Sequence, residues 1–321
     1  MKEEIIYDKI YLGGSLSILI KTYFEKKNVA VIEKENFLGG AWKRGYGKQE
    51  NVDLACHLIV PSSNENSKKI SNFFKKFKLR VRKVFTKEFY TDSDSWQSYG
   101  KKGPAMICNE GWPQMLNVFQ KLIEKKKNVK IIKNCNVLKL LVNDNLVKLI
   151  TSKKNYVSKK VYFPSYFSLK CFYLNKKKIL LPGKKINNYH FLIKIKCETE
   201  ILLKNFQCFF SKKNDDLFDR VSVSSAKNIF GQSDFILTAR LGKKYKKNYK
   251  KINKNQIQSF LIKKKLVKKI LNINFEIIEY KCYYRDICDR IISKNNLKKS
   301  NGKVIWLNTT YFGNFISSFF K

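Results

Sequence analysis

Gly13-Gly14-Ser15-Leu16-Ser17-Ile18 stands where a short apolar run passes into an amphipathic one, and a carboxylate, Glu33, follows Gly13 by twenty residues. A glycine turn leading from a strand into a helix presents free N–H groups and the positive end of the helix dipole to an anion. A carboxylate at that spacing, at the end of the next strand, accepts hydrogen bonds from ribose hydroxyls. The combination is the chemistry of a dinucleotide: pyrophosphate at the helix start, ribose on Glu33. Gly13 matches the first glycine of G-x-G-x-x-G, Ser15 replaces the second and Ile18 the third. Serine adds only a small side chain where the backbone approaches the pyrophosphate. Isoleucine occupies the position where glycine lets helix and strand pack closely, so it is expected to hold the helix off the strand. The same pattern also suits a β-α-β unit that holds no nucleotide.

The next segment is Glu33-Lys34-Glu35-Asn36-Phe37-Leu38-Gly39-Gly40-Ala41-Trp42. A glycine pair permits close backbone approach to a ligand. This stretch resembles the one after the second strand in flavoproteins of the amine oxidase and protoporphyrinogen oxidase superfamily, where a strand-end Glu precedes a Gly-Gly pair near the flavin's diphosphate and ribityl chain. Asn109-Glu110-Gly111-Trp112-Pro113 and the strand around Val137 are similar to its middle region, where a strand like Asn136-Val137-Leu138-Lys139 meets the adenine through its backbone. Asp219-Arg220-Val221-Ser222 is similar to a substrate-domain strand of the protoporphyrinogen oxidase-like branch. The closing Asn308–Ile316 stretch resembles the last flavin segment, with Asn314 and Phe315 at the isoalloxazine ring and asparagine where an acid is usual. Cys56-His57-Leu58-Ile59 with Pro61-Ser62-Ser63-Asn64 resembles the histidine loop of the UDP-galactopyranose mutase-like members. The resemblance implies FAD, with NAD(P)H as a reductant. It also implies a cofactor site made of Gly13, Gly14, Ser15, Leu16, Ser17, Glu33, Lys34, Gly39, Gly40, Ala41, Trp42, Val137, Asn314 and Phe315, and His57 beside the reactive ring. Read by itself, His57 is equally a structural histidine capping a backbone group.

The elements that must hold these residues are legible in the periodicity. Ile5–Leu12 reads as a buried strand. Leu16, Leu19, Ile20, Tyr23 and Phe24 recur on one helical face, closed by Lys26-Lys27-Asn28. Val29–Ile32 is a continuous apolar run of the kind buried in a parallel sheet. Ser62 and Glu65 are spaced as a capping box for a helix with Ile70, Phe73, Phe74 and Phe77 inward. Pro113 suits the first turn of a third helix carrying Met115, Val118, Phe119 and Leu122. A strand meander is expected over Val129–Ile132, Val137–Val142, Leu146–Ile150 and Val161–Phe163. Further strands are expected at Tyr189–Ile195 and Phe235–Ala239.

Composition bounds the rest. The chain has 321 residues, 44% hydrophobic and 14% aromatic, enough for a sizeable core, which excludes wholesale disorder. No apolar stretch reaches the length of a membrane span. Glu3, Glu4 and Asp8 precede the first apolar run, unlike the positive start of a secretory signal, so a cytoplasmic protein is expected. The net charge is +41, carried by 59 lysines and seven arginines. Lys, Asn, Ile, Phe and Tyr all have A/T-rich codons, so base composition explains the excess, and attraction to an anionic substrate is the functional alternative. Nucleic-acid readers favour arginine forks, so no specific nucleic acid is expected. Lys243–Lys269 holds twelve lysines and no acid, and Ile257, Phe260 and Leu261 give its second half an apolar face. The eight cysteines show no CxxC pair and there are two histidines, so no zinc site is expected.

The expected fold is α/β: a discontinuous Rossmann-like FAD/NAD(P)-binding domain from 1–60, 108–170 and 300–321, interleaved with a substrate domain of mixed strands and helices from 61–107 and 171–299. The expected function, as the resemblance implies, is an FAD-dependent oxidoreductase-like enzyme, or a nucleotide-sugar mutase or polysaccharide-biosynthesis flavoprotein, on a small anionic or nucleotide-sugar substrate. The rival readings are a cofactor-free relative acting as a binding or scaffold protein, and a basic binder of nucleic acid or membrane surfaces.

Overall fold

The opening β-α-β unit forms where its periodicity places it. A computed structural model of the chain describes residues 5–39, 59–61, 63–84, 87–90, 95–98, 105–165, 167–197, 208–211, 215–229, 232–307 and 315–316. The chain runs through β1 (Ile6–Leu12), α1 (Leu16–Tyr23), β2 (Val29–Ile32), α2 (Asn64–Lys75), β3 (Val81–Val84) and β4 (Lys87–Tyr90). Next come β5 (Ser95–Ser98), β6 (Ala105–Cys108), α3 (Gly111–Glu124), β7 (Val129–Ile132), β8 (Val137–Val142), β9 (Val147–Thr151) and β10 (Tyr156–Pro164). Then follow β11 (Cys171–Leu174), β12 (Lys177–Leu180), β13 (Lys184–Cys197), β14 (Cys208–Phe210), β15 (Phe218–Ile229) and β16 (Gln232–Leu241). A 3-10 helix over Lys243–Lys251 leads to α4 (Lys254–Lys263), β17 (Ile270–Tyr284), α5 (Ile287–Lys298) and β18 (Val304–Leu307).

Two compact units divide the chain: Met1–Lys43, Pro113–Ile186 and Cys282–Lys321 form one, and Arg44–Trp112 and Asn187–Lys281 the other. In the first unit the sheet order is β12-β11-β8-β9-β10-β1-β2-β7, with β18 on β10. The strands β7, β2, β1, β10 and β18 pair in parallel, the order of a doubly wound dinucleotide fold. One edge of β10 is shared: β9 runs antiparallel to it at Tyr156–Ser158, and β18 parallel at Val161–Pro164. A continuous core of Ile10, Leu12, Ile32, Leu140, Leu149, Val161 and Phe163 lies within this unit.

Three expectations need correction. Val129–Ile132 is not part of a meander; as β7 it pairs in parallel with β2, residue for residue from Val29↔Val129 to Ile32↔Ile132. The antiparallel meander is confined to β8, β9 and β10. The cap of α2 is Ser63, whose Oγ accepts from Asn66 N–H at 3.2 Å; Ser62 lies outside the described residues. Residues 171–186 and 282–299, read from sequence with the substrate domain, group with the first unit, where the β11–β12 hairpin joins the sheet through β8, and 44–60 and 108–112, read with the nucleotide-binding domain, group with the second.

The second unit holds a sheet in the order β17-β13-β16-β15-β14-β4-β5. The pairing of β13 with β16 brings His190 opposite Arg240. Its core gathers Phe191, Phe209, Phe218 and Phe260 with Ile257 and Leu261 of α4. The lysine-rich stretch therefore supplies three apolar anchors, as its periodicity predicts. Lys264 and Lys244 meet Asp216 and Asp215 at 2.7 and 3.2 Å. Among the described residues, no helix is long and apolar enough to cross a membrane.

Candidate functional site

The end of β1 turns at Gly13, whose φ of +82° lies in the left-handed region that glycine enters without steric penalty. Ser15 is the N-cap of α1, yet its side chain makes no capping bond, and its Oγ is buried without a protein partner. The first N–H groups of any helix have no intrahelical acceptor, so Leu16, Ser17 and Ile18 open α1 with donors to spare. The far end of α1 is tied down. Glu25 accepts from Lys9 Nζ at 2.7 Å and from Tyr11 Oη at 2.5 Å, and Lys126 Nζ donates to the carbonyls of Tyr23 and Glu25. Burial pushes the Glu25 carboxyl up, but the bonds from Lys9 and Tyr11 outweigh it and hold the carboxyl below its usual range. Burial, reinforced by Glu25, pushes the Tyr11 phenol up.

Glu33 stands where the spacing places it and is only 6% exposed. Its Oε2 accepts from Gly14 N–H at 2.7 Å and its Oε1 from Glu35 N–H at 3.0 Å. The Gly14 amide, expected against a phosphate, is thus committed to Glu33. Two segments close on this corner. Gly39 N–H donates to Gly14 O at 2.7 Å, and Ser15 and Gly39 form a parallel bridge. A Cβ on Gly14 would lie 2.4 Å from Leu38 Cδ2, so glycine leaves room for the Leu38 side chain over the turn. From the other side, Cys135 N–H donates to Glu33 O and Asn134 N–H to Glu35 O, which sets the start of β8 at Val137 two residues away.

The structure therefore gathers Gly13, Gly14, Ser15, Leu16, Ser17, Glu33 and Gly39, with Val137 close in sequence to the Cys135 contact. Lys34 is exposed and pairs with Glu35 at 3.4 Å. Phe315 is buried beside Ile316 in the same unit. Gly40, Ala41, Trp42, His57 and Asn314 lie outside the described residues. Ile18 is fully buried against Tyr11, Val29 and Val31, so its side chain fills the helix–strand interface that glycine would leave closed. Sequence reasoning missed Leu38, Asn134 and Cys135, which meet this corner through backbone or shape and carry no motif.

The cavity expected for a loaded dinucleotide is testable on these atoms. An uncapped helix start, an orphaned Ser15 Oγ and a Glu33 carboxylate with lone pairs left beyond its two amide donors fit the pyrophosphate-and-ribose part of FAD. Ser15, Leu16 and Ser17 would hold the diphosphate, and Glu33 the ribose.

No protein-family model matches the chain, and no curated protein matches its sequence. Solved structures do match. A putative protoporphyrinogen oxidase from Exiguobacterium sp. 255-15 superposes with a TM-score of 0.62 at 8% identity, covering 99% of this chain and 97% of that one. Cyclohexylamine oxidase from Brevibacterium oxydans gives 0.62 at 8% identity, over 97% and 96%. A Rab GDI from Plasmodium falciparum gives 0.53 at 11% identity, over 99% and 98%. At these identities the likeness is one of architecture: the chain has an α/β, parallel-sheet Rossmann-like fold that it shares with these proteins.

Proposed function

We propose that the chain binds FAD at the Gly13–Ser17, Glu33 and Gly39 corner and works as a flavin-dependent oxidoreductase. The observation that carries this reading is the docking of Gly39 on Gly14 at the start of α1, beside an orphaned Ser15 Oγ and Glu33. FAD, when bound, would supply the hydride or electron transfer. The chain's own part is to bind and orient. The α1 amides and dipole would draw the diphosphate, and Glu33 would hold the ribose while keeping the glycine turn in shape. The net charge of +41 supports an anionic small-molecule substrate; a nucleotide sugar is the instance that the His57 segment resembles, with NAD(P)H as the reductant. Cysteines outside any disulfide at Cys108, Cys135, Cys171 and Cys288 support a cytoplasmic setting.

A second reading, a cofactor-free binding protein, is favoured by one observation. Each Glu33 carboxylate oxygen already accepts one of the chain's own amides, so the carboxylate has a structural role without any ligand. The fold also occurs in a protein named as a Rab GDI rather than an oxidase. The visible spectrum of the purified protein and its melting temperature with saturating FAD separate the two. A flavin spectrum or an upward shift supports the first; a colourless protein with an unmoved melt and no quenching of FAD fluorescence refutes it.

A further inference from the structure

Arginine is scarce in this chain, at seven residues against 59 lysines, and one of the seven, Arg285, is only 2% exposed. Burying a guanidinium carries a large desolvation penalty unless its donors are met. Among the described residues no carboxylate pairs with it. Its two terminal nitrogens donate to backbone instead, Nη1 to Ser165 O at 3.4 Å and Phe167 O at 3.3 Å and Nη2 to Leu169 O, while Nε is buried without a hydrogen-bond partner among the described residues. Three aromatic faces surround the charge, with Cζ 4.6 Å from the Tyr283 ring centre, 5.6 Å from Trp306 and 5.8 Å from Phe163. Burial accordingly lowers the guanidinium's pKa from its ordinary value. The approach of its stem depends on Gly183, where a Cβ would lie 2.9 Å from Arg285 Cγ and 2.8 Å from Tyr284 O.

The segment so held occupies a particular place. It leaves the end of β10, the parallel neighbour of β1. The chain continues from β1 to β2 on one side, while β18 pairs with β10 on the other. Strand ends that part in this way form the crevice where open α/β sheets take their ligands. Phe167 lies in it: a Cβ on Gly13 would stand 3.5 Å from Phe167 Cδ2 and 3.9 Å from Pro164 Cγ. The other side of the segment is tied by Ser165 Oγ to Leu307 O at 3.3 Å, at the end of β18. A planar fork reaching three carbonyls is a task for arginine and not for lysine, whose ammonium is a point donor on a flexible stem.

We propose that Arg285 is the positioning residue of the glycine turn: by holding the Ser165, Phe167 and Leu169 carbonyls it seats Phe167 against Gly13, and so sets where Gly13 and the start of α1 stand toward a dinucleotide. This rests on the dinucleotide reading above for its ligand, though not for its geometry.

The test uses the full chain, its Arg285→Lys, Phe167→Ala and double variants, with ADP and FAD as probes. Two measurements are made: the Kd of each probe, and amide hydrogen exchange at residues 13–16 without any probe, referred to the β8–β9 hairpin. If Arg285 acts through Phe167, each single variant weakens binding by about tenfold, the double variant no further, and lysine does not rescue. Exchange at 13–16 then rises while the hairpin's does not. Wild-type affinity in Arg285→Lys would show that charge alone suffices and overturn the proposal, as would additive losses in the double variant. If the wild type binds neither probe, the dinucleotide reading falls on its own, and the exchange arm decides the seating: a rise confined to 13–16 supports it, and an unchanged or uniformly raised rate overturns it. If Arg285→Lys does not fold, Phe167→Ala carries the test, and its indifference in both measurements is the overturning result.

Discussion

Replacing Glu33 by glutamine separates a carboxylate that waits for a ligand from one that also holds the turn together. The side chain keeps its size, but one oxygen becomes an NH2 group. Each oxygen now accepts a backbone N–H, from Gly14 at 2.7 Å and from Glu35 at 3.0 Å, at 6% exposure. Whichever way the amide is turned, one of those N–H groups faces another donor. A hydrogen bond to a charged acceptor contributes about 1.5–3 kcal/mol, and a buried donor left unmet costs about 1–3 kcal/mol. The ligand-free protein should therefore lose about 2–3 kcal/mol, read as a fall in melting temperature at about 2–4 °C per kcal/mol for domains of 150–250 residues. FAD affinity should fall further, because the weakened acceptor also meets the ribose, by about 1.5–3 kcal/mol. Urea unfolding of both proteins with and without FAD measures both quantities. A Glu33→Gln protein as stable as wild type without ligand, yet impaired in FAD binding, would refute the argument that Glu33 props the glycine turn.

Ile18→Gly should destabilise the protein rather than tighten its cofactor site, because the buried side chain packs on Tyr11, Val29 and Val31; a loss of about 2–5 kcal/mol in urea unfolding is expected for a large-to-small core change, and an unchanged midpoint would show that the site collapses freely. Gly14→Ala should disturb the corner through Leu38 by about 1–3 kcal/mol, and Leu38→Ala in the same chain should recover part of the loss in unfolding experiments, since the 2.4 Å clash is with its far end. Glu110 is pushed up by burial but held down to about 2 by the Arg80 side chain and amide, at 2.7 and 3.0 Å. Its folded-state pKa lies below the ordinary carboxylate range, so its stabilisation is present above that range and is lost as pH falls through about 2. With Arg80 78% exposed the effect is about 1 kcal/mol, and Glu110→Gln should flatten the acid limb of stability against pH by that amount. Lys243–Lys269 should bind duplex DNA only weakly once salt is physiological, since counterion release is then mostly forfeited; binding that persists there in a filter or anisotropy assay would contradict its reading as solvated surface.

Local pattern was enough for elements whose neighbours in space are also neighbours in sequence. The run Ile10–Ile32 encodes β1, α1 and β2 through its periodicity, its glycine turn and the carboxylate twenty residues on. Pro113 and the Met115–Phe119 spacing mark α3, and Ile257, Phe260 and Leu261 anchor α4 inside a lysine run. One-residue choices were less legible: Ser62 and Ser63 are both capping residues, and only the path of the backbone made Ser63 the cap.

What the sequence determined by itself is the local layout of this corner, because Gly13, Ser15 and Glu33 stand at a glycine turn, a helix start and a strand end at a fixed spacing along one β-α-β unit. Only the tertiary structure decided how that corner is built. β7 lies beside β2 and β11 beside β8 through pairings that no local period encodes. Cys135, far along the chain, reaches Glu33 through its amide, a group every residue but proline possesses. No local pattern marks Arg285, yet it is buried because Gly183 and the carbonyls of Ser165, Phe167 and Leu169 arrive from distant segments to receive it. Burial and hydrogen-bond commitment are properties of the surroundings, and a side chain's surroundings are assembled only when the chain folds.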